Sequence, residues 1–320
     1  MNDEHIVIFG IGEMQESVAQ ALSEQFDLRR DTELGLEKSI SQYGPQARAI
    51  ITRGRNRIDA ALINRFPHLE LIANFGVGYD SIDVAAATAR GVIVTNTPNV
   101  LDGEMGDFTL ALLLATVRSI PQADRYLRAG RWNQHHDFPL SASLRDRIIG
   151  VAGMGRIGKV VARRLEGFDL PISYFGRNAQ PGLSYPFFNN LSELARNVDT
   201  LIVTLPGGAN TQRIVNRDVL KALGPQGIFI NVARGSVVDQ PALIEALRTG
   251  VILAAGLDVY ENEPNVPPEL LALENAVLLP HIGTATHRTR QRMGELLVAN
   301  VASWFTRKIA ITPVNAVATQ

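Results

Sequence analysis

The sequence predicts an α/β protein built from two Rossmann-like domains, each a parallel sheet carrying helices. Three observations lead there. A chain of 320 residues exceeds one ordinary core and suits two domains of common size. Short β-branched and apolar runs alternate with amphipathic segments along its length, which is the signature of βαβ units. That alternation stops once, at Asn96-Thr97-Pro98-Asn99, and then begins again. The expected division is a smaller, flavodoxin-like domain over 1–98, completed by 287–320, and a doubly wound domain over 99–286.

Taken in order, residues 6–9 read as a strand and 14–23 as a helix. Residues 49–52 and 71–74 read as the next strands, with helical patterns at 58–65 and 82–90, and 92–95 reads as the last strand of this half. The proline at 98 ends the series, and the long helical stretch 102–118 crosses into the second domain. Six short strands are then expected at 147–152, 172–175, 200–205, 228–232, 254–258 and 277–279, making a doubly wound sheet. A final helix over 289–305 has no place left in that sheet and is expected to return to the first domain.

Composition removes several function classes. Hydrophobic residues make up 46% and charged residues 20%, a globular balance. The net charge is −1, from 31 Lys+Arg and 32 Asp+Glu, without the basic surface a nucleic-acid binder needs. The cluster Arg53-Gly54-Arg55-Asn56-Arg57 is local and reads as a solvated or substrate-facing loop. Cysteine is absent, so no disulfide frame or thiolate site is available, which fits a reducing cytoplasm. The stretch Met1 to His5 is acidic and runs into Ile6 with no signal-peptide pattern, and the apolar run 110–117 is too short to span a bilayer. The reading is a cytoplasmic protein. His135 and His136 are adjacent, and His281 and His287 lie too far apart for one helix face of an HExxH site, so no metal is expected. No GxSxG elbow is present for a serine hydrolase.

The sharpest local motif is Gly153-Met154-Gly155-Arg156-Ile157-Gly158, placed between a predicted strand and a predicted helix. Gly153 makes the tight turn, Gly155 lets backbone approach a pyrophosphate, and Gly158 allows helix to pack on sheet. The helix N-terminus then offers N–H groups and partial positive charge to the phosphates, with Arg156 adding a cation. Gly10-Ile11-Gly12-Glu13-Met14-Gln15 also follows a strand but lacks the third glycine, so the first half reads as the substrate domain.

Cofactor choice is read about 20 residues on, where an acid would accept the ribose 2′-hydroxyl of NAD. This chain has Ser173-Tyr174-Phe175-Gly176-Arg177-Asn178 and no carboxylate. Arg177 can pair with a 2′-phosphate through charge-assisted hydrogen bonds of roughly 1.5–3 kcal/mol. NADP(H) is therefore the expected cofactor, with NAD(H) as the alternate.

Three later segments, Ile230-Asn231-Val232-Ala233-Arg234-Gly235, Gly256-Leu257-Asp258-Val259-Tyr260-Glu261-Asn262-Glu263-Pro264 and Leu279-Pro280-His281-Ile282-Gly283-Thr284, resemble the D-isomer-specific 2-hydroxyacid dehydrogenase family. The likeness extends to Gly76-Val77-Gly78-Tyr79-Asp80 and Asn96-Thr97-Pro98, and covers nearly the whole chain. Within the family, Phe138-Pro139-Leu140, the stretch 172–177 and Glu261-Asn262-Glu263-Pro264 are most similar to the hydroxyphenylpyruvate, hydroxypyruvate and glyoxylate reductases.

The resemblance implies reduction of a small 2-oxo acid to the D-2-hydroxy acid, with Arg234, Glu263 and His281 as the catalytic set. The chemistry suits those types. Histidine titrates near neutrality and can give a proton to the developing alkoxide, a carboxylate beside it fixes its tautomer, and arginine offers a permanent planar cation to the substrate carboxylate. Residue by residue, the likeness also implies cofactor contacts from Ile157, Gly176, Arg177, Asn178, Val232, Ala233 and Asp258. It implies substrate contacts from Arg53, Val77, Gly78, Arg234 and His281, and a homodimer through the 102–118 helix and the arm around Trp132. Asp102, Glu104 and Met105 depart from the family pattern, and Met105 is expected near the nicotinamide ring. Two rival readings share the fold: a dinucleotide-sensing binding protein like the transcriptional corepressors, and an enzyme acting on formate, against which Glu263 counts.

Overall fold

The computed structural model describes residues 6–54, 56–135 and 137–317. Met1 to His5, Arg55 of the basic cluster and His136 of the histidine pair lie outside the described residues. The chain forms two compact α/β units, one running to Leu101 and resuming at Ala285, the other spanning Asp102–Thr284.

The first unit holds five parallel strands: β1 (Val7–Gly10), β2 (Asp27–Arg30), β3 (Ala49–Arg53), β4 (Leu71–Phe75) and β5 (Ile93–Thr95), in the order β2-β1-β3-β4-β5. This is the flavodoxin-like order. Four strands are expected from the alternation; β2 is the addition, an edge strand whose sequence Asp27-Leu28-Arg29-Arg30 has no buried residue. Period-two alternation divides the core strands between two buried faces. Phe9, Ile50, Ile72 and Val94 fill one side, and Ile8, Ile51, Leu71 and Ile93 fill the other.

The second of these faces is covered in part by Val18 and Leu22 of the helix Glu16–Ser23, and is closed by the helix His287–Arg307, which contributes Leu297, Val301 and Trp304. Thr286 caps that helix by accepting from the Thr289 amide at 3.2 Å. Its far end is tied to Glu70, which accepts from the Trp304 indole at 3.1 Å and from Arg48 at 2.7 Å and also pairs with Lys308.

The second unit is a seven-stranded parallel sheet: β6 (Ile149–Ala152), β7 (Ile172–Phe175), β8 (Phe187–Phe188), β9 (Thr200–Val203), β10 (Ile228–Asn231), β11 (Ala254–Leu257) and β12 (Ala276–Leu278). The order β12-β11-β10-β9-β6-β7-β8 is doubly wound, reversing between β6 and β9. Here too one strand exceeds the expected six, because the two residues of β8 are too short to register as a periodic run. The helix Asp102–Val117, apolar over most of its surface, packs on both the sheet and the helix Arg156–Glu166. No helix among the described residues is long and apolar enough to cross a membrane.

Candidate active site

The catalytic and cofactor candidates of the second unit follow the carboxyl ends of its strands, where open α/β sheets bind ligands. After β6 the chain turns at Gly153, whose φ of +103° excludes ordinary side chains. The next turn is as tight: a Cβ on Gly158 would sit 2.0 Å from the Gly153 carbonyl oxygen, so the helix Arg156–Glu166 can start here only on glycine. Thr204, just past β9, donates to that same carbonyl at 2.6 Å and pins the loop to the sheet. Gly155 has nothing within 4 Å of its Cβ position, which leaves the N-terminus of the helix open to a phosphate. These features fit a bound dinucleotide. Arg156 reaches Asp102 at 3.7 Å; burial raises the pKa of that carboxyl against the pull of the guanidinium.

After β7 come Gly176, Arg177 and Asn178, with the last two exposed and no acid among them. After β10 the turn carrying Val232, Ala233 and Arg234 is held by Asn231, a buried side chain. Its Oδ1 accepts from the Ala233 amide and its Nδ2 donates to the Arg234 carbonyl, both at 3.0 Å. The sequence reading placed Asn231 inside a motif without giving it this positioning task. Its signal was available: a polar residue ending an otherwise apolar strand.

Behind Arg234 lies the tightest contact of the site. A Cβ on Gly235 would meet the Tyr260 carbonyl carbon at 1.8 Å and its oxygen at 1.9 Å. The segment after β10 is thereby pressed against the segment after β11 that leads to Glu263.

Glu263 and His281 meet, although 18 residues separate them. Glu263 Oε2 lies 2.7 Å from His281 Nδ1, and Glu263 Oε1 accepts from the Tyr260 amide at 3.2 Å. An ionised carboxylate can only accept, so Nδ1 carries the hydrogen and Nε2 remains for exchange with a substrate. His281 stands at φ +57°, in the left-handed region, where a non-glycine residue needs support. Asp258 supplies it: one carboxylate oxygen accepts from the Ile282 amide at 2.8 Å and the other from the Gly283 amide at 2.9 Å. Burial pushes the Asp258 carboxyl upward, while these two amides and His281 draw it down. Met105 packs on the same turn, its sulfur 2.8 Å from the Cβ position of Gly283.

In the first unit, Arg53 ends β3, and Val77 and Gly78 follow β4. Buried Asn74 donates to the carbonyls of Gly76 at 3.2 Å and Gly78 at 2.9 Å, and Asn96 donates to that of Val77 at 2.8 Å. Three successive carbonyls are thus taken by protein donors, which sets the direction of the intervening amides. Asn74 and Asn96 are again positioning residues; sequence reasoning quoted Asn96 within a motif and Asn74 within a strand without giving either this task.

Residues 110–283 match the family model described as D-isomer specific 2-hydroxyacid dehydrogenase, NAD binding domain. Among characterised relatives, hydroxyphenylpyruvate reductase of Plectranthus scutellarioides is 41% identical over 302 residues, 94% of this chain and 96% of that protein. Glyoxylate/hydroxypyruvate reductase A of Arabidopsis thaliana is 41% identical over 280 residues, 87% of this chain and 89% of that one. A crystal structure of an NADPH-dependent glyoxylate/hydroxypyruvate reductase from Sinorhizobium meliloti, in complex with NADP and malonate, superposes with a TM-score of 0.91 at 46% identity, covering 97% of each chain.

Proposed function

The chain belongs to the D-isomer-specific 2-hydroxyacid dehydrogenase family, and from that we propose how its own residues reduce a small 2-oxo acid to the D-2-hydroxy acid. When bound, the reduced nicotinamide supplies two electrons and a hydrogen to the carbonyl carbon and leaves oxidised. The matching proton comes from His281 Nε2 to the carbonyl oxygen, so one NAD(P)H and one proton are consumed for each hydroxyl formed. Glu263 keeps the other hydrogen on Nδ1, so the donor is the imidazolium, which gives up its Nε2 proton and is left as the neutral Nδ1–H tautomer. Arg234 pairs with the substrate carboxylate and draws charge from the carbonyl. The Val77 and Gly78 amides and Arg53 are assigned to the same substrate. Gly153, Gly155, Arg156, Ile157 and Gly158 are assigned to the pyrophosphate, with Val232, Ala233 and Asp258 toward the nicotinamide end.

The observation that carries this reading is the 2.7 Å His281–Glu263 pair, at the same sheet end as the glycine loop. The experiment is a substrate panel: purified protein with glyoxylate, hydroxypyruvate and phenylpyruvate, each with NADPH and with NADH, followed by nicotinamide absorbance. Turnover is expected; folded protein that reduces none of them would favour a dinucleotide sensor.

The cofactor assignment is NADP(H), supported by Arg177 and the absent acid at the end of β7. Arg177→Gln is expected to lower the NADPH:NADH ratio of kcat/KM by about tenfold or more, the worth of one charge-assisted contact. An unmoved ratio would remove Arg177 from cofactor choice. We assign the protein to the cytoplasm, in keeping with a chain that carries no cysteine. We further assign it a homodimer through the helix Asp102–Val117 and the following arm, where Ile120, Leu127, Trp132 and Leu140 expose apolar side chains.

A further inference from the structure

The first unit contains a cavity of about 170 Å³ at the carboxyl ends of β1, β3 and β4. Met14, Ile51, Phe75 and Leu297 form apolar walls, and Glu13, Gln15, Thr52, Arg53 and Arg290 make up a polar side. The guanidinium of Arg290 lies 5.7 Å from the centre of the Phe75 ring. The position matters as much as the lining. β1 lies between β2 and β3, so the chain reverses its direction of travel across the sheet at this point, and such a switch point is where parallel sheets of this order take ligands.

The cavity also adjoins the loop assigned to the substrate carboxylate. Phe75 leads directly into Gly76-Val77-Gly78, and Gly54, next to Arg53, is so near that a Cβ there would be 3.3 Å from the Gly78 carbonyl oxygen. A 2-oxo acid has its carboxylate two bonds from C3, so a group on C3 must fall beside that loop.

We propose that this cavity receives the C3 substituent of the 2-oxo acid and that a six-membered aromatic ring is the substituent it fits, making arylpyruvates the preferred substrate class. The inference rests on the function proposed above. Size decides between substituents: a cavity of about 150 Å³ is large enough to take benzene. Glyoxylate has no C3 group, and the hydroxymethyl of hydroxypyruvate would leave most of the apolar wall of Met14, Ile51, Phe75 and Leu297 uncovered. A planar guanidinium also stacks on an aromatic face, as Arg290 already does on Phe75.

The test is kcat/KM for phenylpyruvate, hydroxypyruvate and glyoxylate at saturating NADPH. Phenylpyruvate is expected to exceed glyoxylate by at least about tenfold, since even one methylene in an apolar pocket discriminates by roughly 10–200-fold. Met14→Trp, which fills the cavity, is expected to lower that ratio by about tenfold, and Met14→Ala is expected to keep it above that of Met14→Trp. Phenyllactate should inhibit wild-type glyoxylate reduction competitively and at lower concentration than glycolate, a measurement that needs no variant. Glyoxylate or hydroxypyruvate equalling phenylpyruvate, a ratio unmoved in a Met14→Trp protein that melts like wild type, or phenyllactate no better than glycolate would each overturn the proposal. Failure to reduce any of the three acids would instead overturn the function on which it rests.

Discussion

Replacing His281 by asparagine is expected to lower kcat by about 10²–10⁴-fold, the range that positioned acids and bases contribute, while the affinity for NADPH stays within about threefold of wild type. Asparagine is the informative choice because of the backbone. At φ +57° any residue with a Cβ carries a conformational cost of roughly 1–2 kcal/mol, and an alanine, which also removes the bond to Glu263, could release the turn, so that lost activity would reflect a displaced backbone. Asparagine is among the few residues that adopt this conformation readily, so Asp258 can keep its two amide bonds while the proton donor disappears. Steady-state turnover gives the first quantity and fluorescence titration with NADPH the second. A variant that keeps more than about a hundredth of wild-type kcat would show that the proton comes from elsewhere.

The second large effect is expected at a residue that touches no substrate. Gly235→Ala places a methyl group 1.8 Å from the Tyr260 carbonyl carbon, where backbone meets backbone and no side chain can swing aside. The segments after β10 and β11 must separate. Arg234 precedes Gly235, and Glu263 follows Tyr260 by three residues and accepts from its amide, so one separation moves both. Overpacking of this kind costs about 3 kcal/mol at the upper end of its usual range, which corresponds to a Tm lower by roughly 6–12 °C in a unit of this size. A displacement near 1 Å costs about 10²-fold in rate, so kcat/KM should fall at least that far. Wild-type melting together with wild-type turnover would mean that the two segments are not held in contact in solution.

What the sequence made legible, and what it hid, follows from the range of the interactions involved. The glycine loop is local: three glycines between a strand and a helix suffice, and the φ of Gly153 and the 2.0 Å approach behind Gly158 give the reason for two of them. The apolar strands were readable because β3 and β4 are buried on both faces and so each open on three consecutive apolar residues. β2 was not, since Asp27-Leu28-Arg29-Arg30 is an edge strand with a single apolar residue and none fully buried, which leaves no pattern in the side chains. The helix Leu36–Tyr43 was hidden for a similar reason, because it buries only Ser39 and Ile40.

At the site the same rule applies more strongly. Nothing near Glu263 announces a partner 18 residues away; only the resemblance pointed to His281, and the contact exists because β11 and β12 are neighbours in the sheet. Asp258 was read as a cofactor residue, yet both its oxygens receive amides of the turn that carries His281. The task of holding that turn belongs to a fold-level contact that residue matching does not display.

The helix His287–Arg307 closes a sheet whose five strands all come from the first hundred residues of the chain. During synthesis, therefore, Ile8, Ile51, Leu71 and Ile93 leave the ribosome long before Leu297, Val301 and Trp304 exist to cover them. The uninterrupted stretch from Asp102 to Thr284 has no such wait. Although domains usually fold in the order in which they are translated, here the later-made unit is the one that can finish first, and the earlier one must wait with that apolar face covered only in part, by Val18, Leu22 and Phe26, until translation is nearly over.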